Sequence, residues 1–216
     1  MTNLVMSCAP SVTALTTLAA VKSELGIDSA ATTDDDYLNG LVASVSATVK
    51  TYLRRGELGR ASYVETFRAQ PRVGGYCGFG RGQLILSRWP VASITSITED
   101  ATTLTAGSDY DFDTFDGECY RLVNDRVKDW TAQLITVTYS AGYLLPGQTN
   151  RDLPADIERA TVLAVASSYN ARGRDAGIKS VDLAGLGKTE FGFATAQDAL
   201  PPGCAALLDA FRSGWL

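Results

Sequence analysis

Four aspartates, Asp109, Asp111, Asp113 and Asp116, stand close together in the chain. On an extended strand the first three share one face, because strand side chains alternate. Clustered carboxylates can hold calcium or serve as the acid and base of a glycosidase. No EF-hand loop is present, since the glycine at its sixth position and the glutamate at its twelfth are missing. A solvated strand face and turn is therefore the preferred reading. A carbohydrate- or calcium-binding β module, or a hydrolase using Asp109, Asp111 and Asp113, stands as the alternative.

Other reactive patterns are weaker. The chain has no histidine, which removes Ser-His triads, histidine general bases and histidine metal ligands. There is no S-x-x-K nucleophile pattern. Cys8, Cys77, Cys119 and Cys204 lie far apart with no C-x-x-C pair, so scattered reduced thiols are expected rather than a zinc site. "GFGRGQ" is followed by a strand pattern, whereas a dinucleotide fingerprint needs a helix there. "GLGKTE" has Gly187, Lys188 and Thr189, but Asp182 stands where a P-loop needs its first glycine. No catalytic machinery, cofactor or metal is expected.

Charge argues against a grip on nucleic acid. The 216 residues carry a net charge of -5, and proteins that hold DNA through phosphates usually present a basic surface. Arg54, Arg55, Arg60, Arg68, Arg72, Arg81 and Arg88 could touch phosphates, although pairing with carboxylates is the preferred reading. No stretch approaches the ~20 apolar residues of a membrane span, and no signal-peptide pattern opens the chain. A hydrophobic share of 45% argues for a folded core.

The elements that would position these residues follow from periodicity. Thr17 is a suitable N-cap for a helix carrying Leu18, Val21 and Leu25, and Gly26 is a suitable stop. Thr33 or Asp34 caps a longer helix to about residue 54, with Asp35 and Asp36 at its positive end. Tyr37, Leu38, Leu41, Val42, Val45, Val49, Tyr52 and Leu53 fall on one half of its wheel, with Ser46, Lys50 and Arg54 opposite. From Ser62 to Tyr143 the period shifts to two, predicting roughly five or six mostly antiparallel strands. The glycine-rich "RVGGYCGFGRGQ" reads as an exposed hairpin tip or mobile loop. A second long helix starts near Pro154, with Asp152 as cap, and buries Ile157, Val162, Val165, Ala166 and Tyr169. A long Gly- and charge-rich segment follows, β-like near Lys188 to Phe193. After Pro201 and Pro202, Leu207, Leu208, Phe211 and Trp215 form an apolar stripe. It either covers the subunit's own core or serves as a helix-in-groove docking element.

In order, "TLAAVKSELGID", "DDDYLNGLVASVSATVKTYLRR", "LILSRWPVASITSIT", "LITVTYSAGY", "LPADIERATVLAVASSYNARG" and "LPPGCAALLDAFR" resemble the head–tail connector (adaptor) family of long-tailed bacteriophages. The resemblance runs from about Leu15 to Arg212. The glycine-rich loop and the "SGWL" tail depart from it. It implies an α+β fold: a helical bundle of two long helices plus short terminal helices, carrying an antiparallel β-rich middle segment. The expected segments are N-terminal helices at 1–61, a β-rich middle at 62–150 and a C-terminal helix, mobile loop and docking tail at 151–216, with the helical parts packed as one domain.

The resemblance further implies a non-enzymatic virion neck protein, assembled in the host cytoplasm. Copies would form a homo-oligomeric ring, commonly of twelve, below the portal protein. The ring would extend the channel for passing double-stranded DNA, without sequence-specific binding, and offer a platform to the next neck or tail protein, a stopper or tail terminator. No membrane is involved. The expected docking residues are Leu207, Leu208, Phe211 and Trp215. Arg54, Arg55, Arg172, Arg174, Lys179 and Lys188 are candidates for the DNA channel or for interfaces.

Overall fold

The structure is a computed structural model and describes residues 2–68, 83–172, 180–183, 187–190, 200–201 and 203–212. The chain divides into two compact units. One comprises Met1–Val12 and Leu58–Leu144, the other Thr13–Glu57 and Leu145–Leu216.

The first unit is built of β-strands. They are β1 (Thr2–Cys8), β2 (Ala61–Arg68), β3 (Gln83–Ile85), β4 (Val91–Glu99), β5 (Thr102–Thr103), β6 (Tyr110–Phe112), β7 (Glu118–Val123), β8 (Arg126–Lys128) and β9 (Leu134–Ala141). One sheet has the order β1-β2-β9-β4-β5; the other has β3-β7-β6, with β8 paired to β7. The pairings between these strands are antiparallel. In β2 and β9 buried residues alternate strictly with more exposed ones, the mark of a strand with one face on a core. Those inward residues, including Tyr63, Phe67, Ile135, Val137 and Tyr139, join Leu84, Leu86, Cys119 and Trp130 in a shared core.

The second unit holds α1 (Leu18–Leu25), α2 (Asp35–Tyr52), α3 (Ala155–Asn170) and α4 (Cys204–Leu208), with a 3-10 turn at Asp209–Phe211. It also holds an antiparallel pair, β10 (Ser180–Leu183) and β11 (Gly187–Glu190). Thr17 caps α1 by accepting the Ala20 N–H at 3.2 Å. Gly26 ends it with φ of +66°, a left-handed conformation open to glycine. Asp34 occupies the cap position of α2 and Pro154 that of α3, neither with a side-chain cap bond. Leu38, Val42, Val45 and Val49 of α2 are buried, as are Ile157, Ala160, Val162 and Val165 of α3; α3 packs against α1, α2 and α4. Among the described residues, no helix is long and apolar enough to cross a membrane.

Two expectations are corrected. The protein is not a helical bundle of two long helices with a β-rich elaboration. It is a mixed α and β chain with four helices among the described residues, and strands β1 to β9 form a compact unit with a core of their own. The second correction concerns Ser46, expected on the solvent half of α2. It is buried, and its hydroxyl accepts the Leu15 N–H at 3.1 Å. A small hydroxyl satisfies a buried backbone donor there, where an apolar side chain would leave it unpaired. The glycine-rich segment read as a hairpin tip or mobile loop lies outside the described residues.

Candidate functional site

The aspartate cluster is used by the chain itself. Asp109 accepts the Thr105 N–H at 2.9 Å and lies 3.8 Å from Arg121. Asp111 accepts the Phe112 N–H at 2.8 Å. Asp113 accepts the N–H groups of Phe115 and Asp116 at 2.6 and 3.2 Å, closing the turn between β6 and β7. These are local side-chain-to-backbone bonds that shape turns. Among the described residues, no three acidic or cysteine side chains converge as a metal-ligand set. Cys8, Cys119 and Cys204 are free thiols. Burial, then the Glu65 and Asp111 carboxylates, push the Cys119 thiol up to about 12, which keeps it protonated and inert. The "GLGKTE" segment contributes strand β11, whereas a P-loop is a turn leading into a helix.

The basic candidates go to different places. Arg172 pairs with Asp34 at 2.7 Å, and its guanidinium sits 4.5 Å above the Tyr37 ring. Tyr169 donates its hydroxyl to the other Asp34 oxygen at 2.6 Å. These bonds, Tyr169 first, hold the Asp34 carboxyl below its ordinary value. They tie the start of α2 to the end of α3, so Arg172 serves its own unit. Arg54 is exposed just beyond α2, with φ of +57°. Arg55 is buried. Lys188 lies on β11. Arg174 and Lys179 lie outside the described residues.

The C-terminal stripe is split. Leu208 is 0% exposed, in the core of its own unit, while Leu207 and Phe211 are half-buried. Asp209 accepts the Tyr52 hydroxyl at 2.6 Å, and Arg212 lies 5.0 Å from the Tyr52 ring centre. Trp215 lies outside the described residues.

The second unit also contains a cleft of about 700 Å³ along α2, within the size range of binding sites. Leu18, Val42, Ala43 and Ala47 give it an apolar wall, and Lys50, Arg54 and Arg55 line its end near the C-terminus of α2. Among the described residues, no acidic side chain lines it. The Thr16 hydroxyl, in the same lining, is buried and has no hydrogen-bond partner among the described residues. Periodicity places Arg54 and Arg55 at a helix end but cannot show that the preceding segment walls off a cleft.

Sequence reasoning also missed the buried polar anchors. Glu65 is fully buried and accepts the Ser87 N–H at 2.9 Å and the Tyr139 hydroxyl at 2.8 Å. Lys22 is buried, pairs with Asp35 at 2.6 Å and donates to the Ala31 carbonyl at 2.7 Å. The only hint is a charged residue at an inward position: Glu65 alternates in phase with Tyr63 and Phe67.

Comparison with known proteins shows what the chain is similar to. Residues 15–72, covering α1, α2 and β2, match the family described as phage gp6-like head-tail connector protein. Over this stretch the chain is similar to that family, and the resemblance read from the ordered motifs holds there. The fold likeness extends further. A chain in the neck of an empty gene transfer agent particle, computed with C6 symmetry, is 17% identical, with 99% of this chain and 97% of that one covered and a TM-score of 0.57. A chain in the virion of the native particle gives 17%, 99%, 96% and 0.57. One from the neck of the native particle, computed with C12 symmetry, gives 16%, 99%, 97% and 0.50. No match to a curated protein was found.

Proposed function

We propose that this protein is a structural head–tail connector in the neck of a phage or phage-like particle. The observation that carries this reading is the likeness of nearly the whole chain to neck subunits, joined to the family match at its N-terminal helices. In this reading the chain is a building part and catalyses no reaction. Its copies form a ring, with twelve the expected number; the C6 and C12 symmetries used for the similar necks support a ring. Ring closure needs two different, complementary faces on each copy. The ring docks beneath the portal protein, extends the DNA channel and receives the next neck or tail protein. Double-stranded DNA passes without sequence-specific contact, and the net charge of -5 supports a channel wall that does not hold it. Assembly takes place in the host cytoplasm. Leu207, Phe211 and Trp215 remain the proposed docking residues, while Leu208 is buried in its own unit. The test is to incubate purified chain with DNA-filled, portal-bearing heads that lack tails. Co-sedimentation as a ring on those heads is expected. Absence of binding, with the chain folded, contradicts the reading.

A further inference from the structure

Phe115 is 75% exposed, more than any other large hydrophobic side chain among the described residues. It stands at the tip of the β6–β7 turn. Asp113 fixes that turn through its bonds to the N–H groups of Phe115 and Asp116, and Gly117 closes it at φ of +70°. The ring is therefore held out on a pre-formed support, so little conformational freedom is lost when it is buried. Asp111, Asp113 and Asp116 surround it and are exposed. From Asp109 to Glu118 there is no basic residue. This knob is apolar at its tip and acidic at its base.

The cleft along α2 has the opposite character. Its wall is apolar, Lys50 in its lining pairs with Glu57 at 2.8 Å, Arg54 is exposed at its end, and it holds the Thr16 hydroxyl, in a residue 2% exposed and without a partner among the described residues. A buried polar group without a partner is uncommon in a finished structure. Arg54 reaches the cleft from a left-handed backbone conformation that arginine rarely adopts. That conformation closes α2, with the Arg55 N–H reaching back to the Lys50 carbonyl at 3.0 Å.

We infer that the turn Asp113–Asp116 of one copy docks into the α2 cleft of a second copy of this chain. Phe115 enters against Ala43 and Ala47, and Asp116 faces Arg54. The occupant is a second copy because the chain itself carries the complementary acidic and apolar surface, and because the two surfaces differ. Knob and cleft form a head-to-tail contact, the kind that closes into a ring. This inference rests on the ring reading above.

Mixed variants, each with one introduced cysteine besides the buried Cys119 and Cys204, test it. Cys8 and Cys77 are replaced by serine in both; one chain carries Arg54→Cys and the other Asp116→Cys. The two are mixed, assembled and oxidised. A disulfide-linked dimer containing one of each chain is expected, strong in the mixture and absent from either variant alone. Phe115→Ala in the Asp116→Cys chain should reduce the yield at least tenfold. Rings seen by sedimentation without the mixed dimer overturn the docking inference and leave the ring reading standing. Chains that stay monomeric at all concentrations and on portal-bearing heads overturn both.

Discussion

Asp34 links α2 to α3 through a single carboxylate. Its pKa is depressed from 3.8, chiefly by the Tyr169 hydroxyl and then by Arg172. A carboxyl with a lowered folded-state pKa stabilises the fold above its unfolded value and loses that contribution as pH falls through the folded value. Asp34→Asn should lower the melting temperature at pH 7. The gap to the parent protein should narrow as pH drops below about 4. Melting curves across pH check this; a constant gap contradicts it. Glu65→Ala leaves the Tyr139 hydroxyl buried without its acceptor and removes the acceptor of the part-buried Ser87 N–H. Urea unfolding should show a loss of about 3 kcal/mol, since each orphaned buried group costs roughly 1–3. Tyr139, whose phenol is pushed up by burial and then by the Glu65 carboxylate, stays protonated and donating throughout the accessible pH range.

At the level of elements, α2 and α3 depend on each other, because helices of this length are marginal alone in water. Leu38 and Val49 are fully buried, and Leu38→Ala should cost about 3 kcal/mol by the usual cavity penalty. Val45→Asp should unfold the second unit, since it places an unpaired charge in the core. A Val45→Asp protein with full helical content at the parent melting temperature would contradict this packing. A different constraint operates after β9. Gly142 has φ of +103°, and a Cβ there would lie 2.7 Å from the Gly59 carbonyl oxygen. That close approach belongs to the crossing where Tyr143 donates to Leu58 and Arg60 donates to Tyr143, both at 2.8 Å. Gly142→Ala should therefore cost at least about 2 kcal/mol, read by urea unfolding. The helices were legible in the sequence because a cap, a periodic face and a stop are all local. Thr17, Gly26 and the Leu38–Val49 stripe are examples. Strands β2 and β9 were legible from alternation. Strand β1 was not: six of its seven residues are exposed, so no burial pattern marks it. Only its pairing with β2, some sixty residues later, makes it a strand. The cleft was illegible for the same reason, since its walls come from two separate stretches, 13–18 and 39–56.

For the whole molecule, the expected bundle gives way to two compact units, one of strands and one mainly of helices. Each local pattern was compatible with both descriptions, because periodicity fixes an element but not the core it joins. The β unit closes on Trp130, Tyr63 and Tyr139, and only long-range pairing brings those residues together. The functional reading came from the order of the motifs, and it is carried by the family match at residues 15–72 and the fold likeness to neck subunits. Part of the C-terminal segment supports the fold through buried Leu208, and its docking role is a proposal. Deleting residues 205–216 removes buried Leu208 and should lower the melting temperature. Phe211→Ala with Trp215→Ala should leave the fold intact and weaken attachment to portal-bearing heads, measured by co-sedimentation. The connector role itself is tested most directly by removing the gene and examining the particles by electron microscopy. The account predicts heads and tails that fail to join, with joining restored when purified protein is added back; normally tailed particles made without the protein would contradict it.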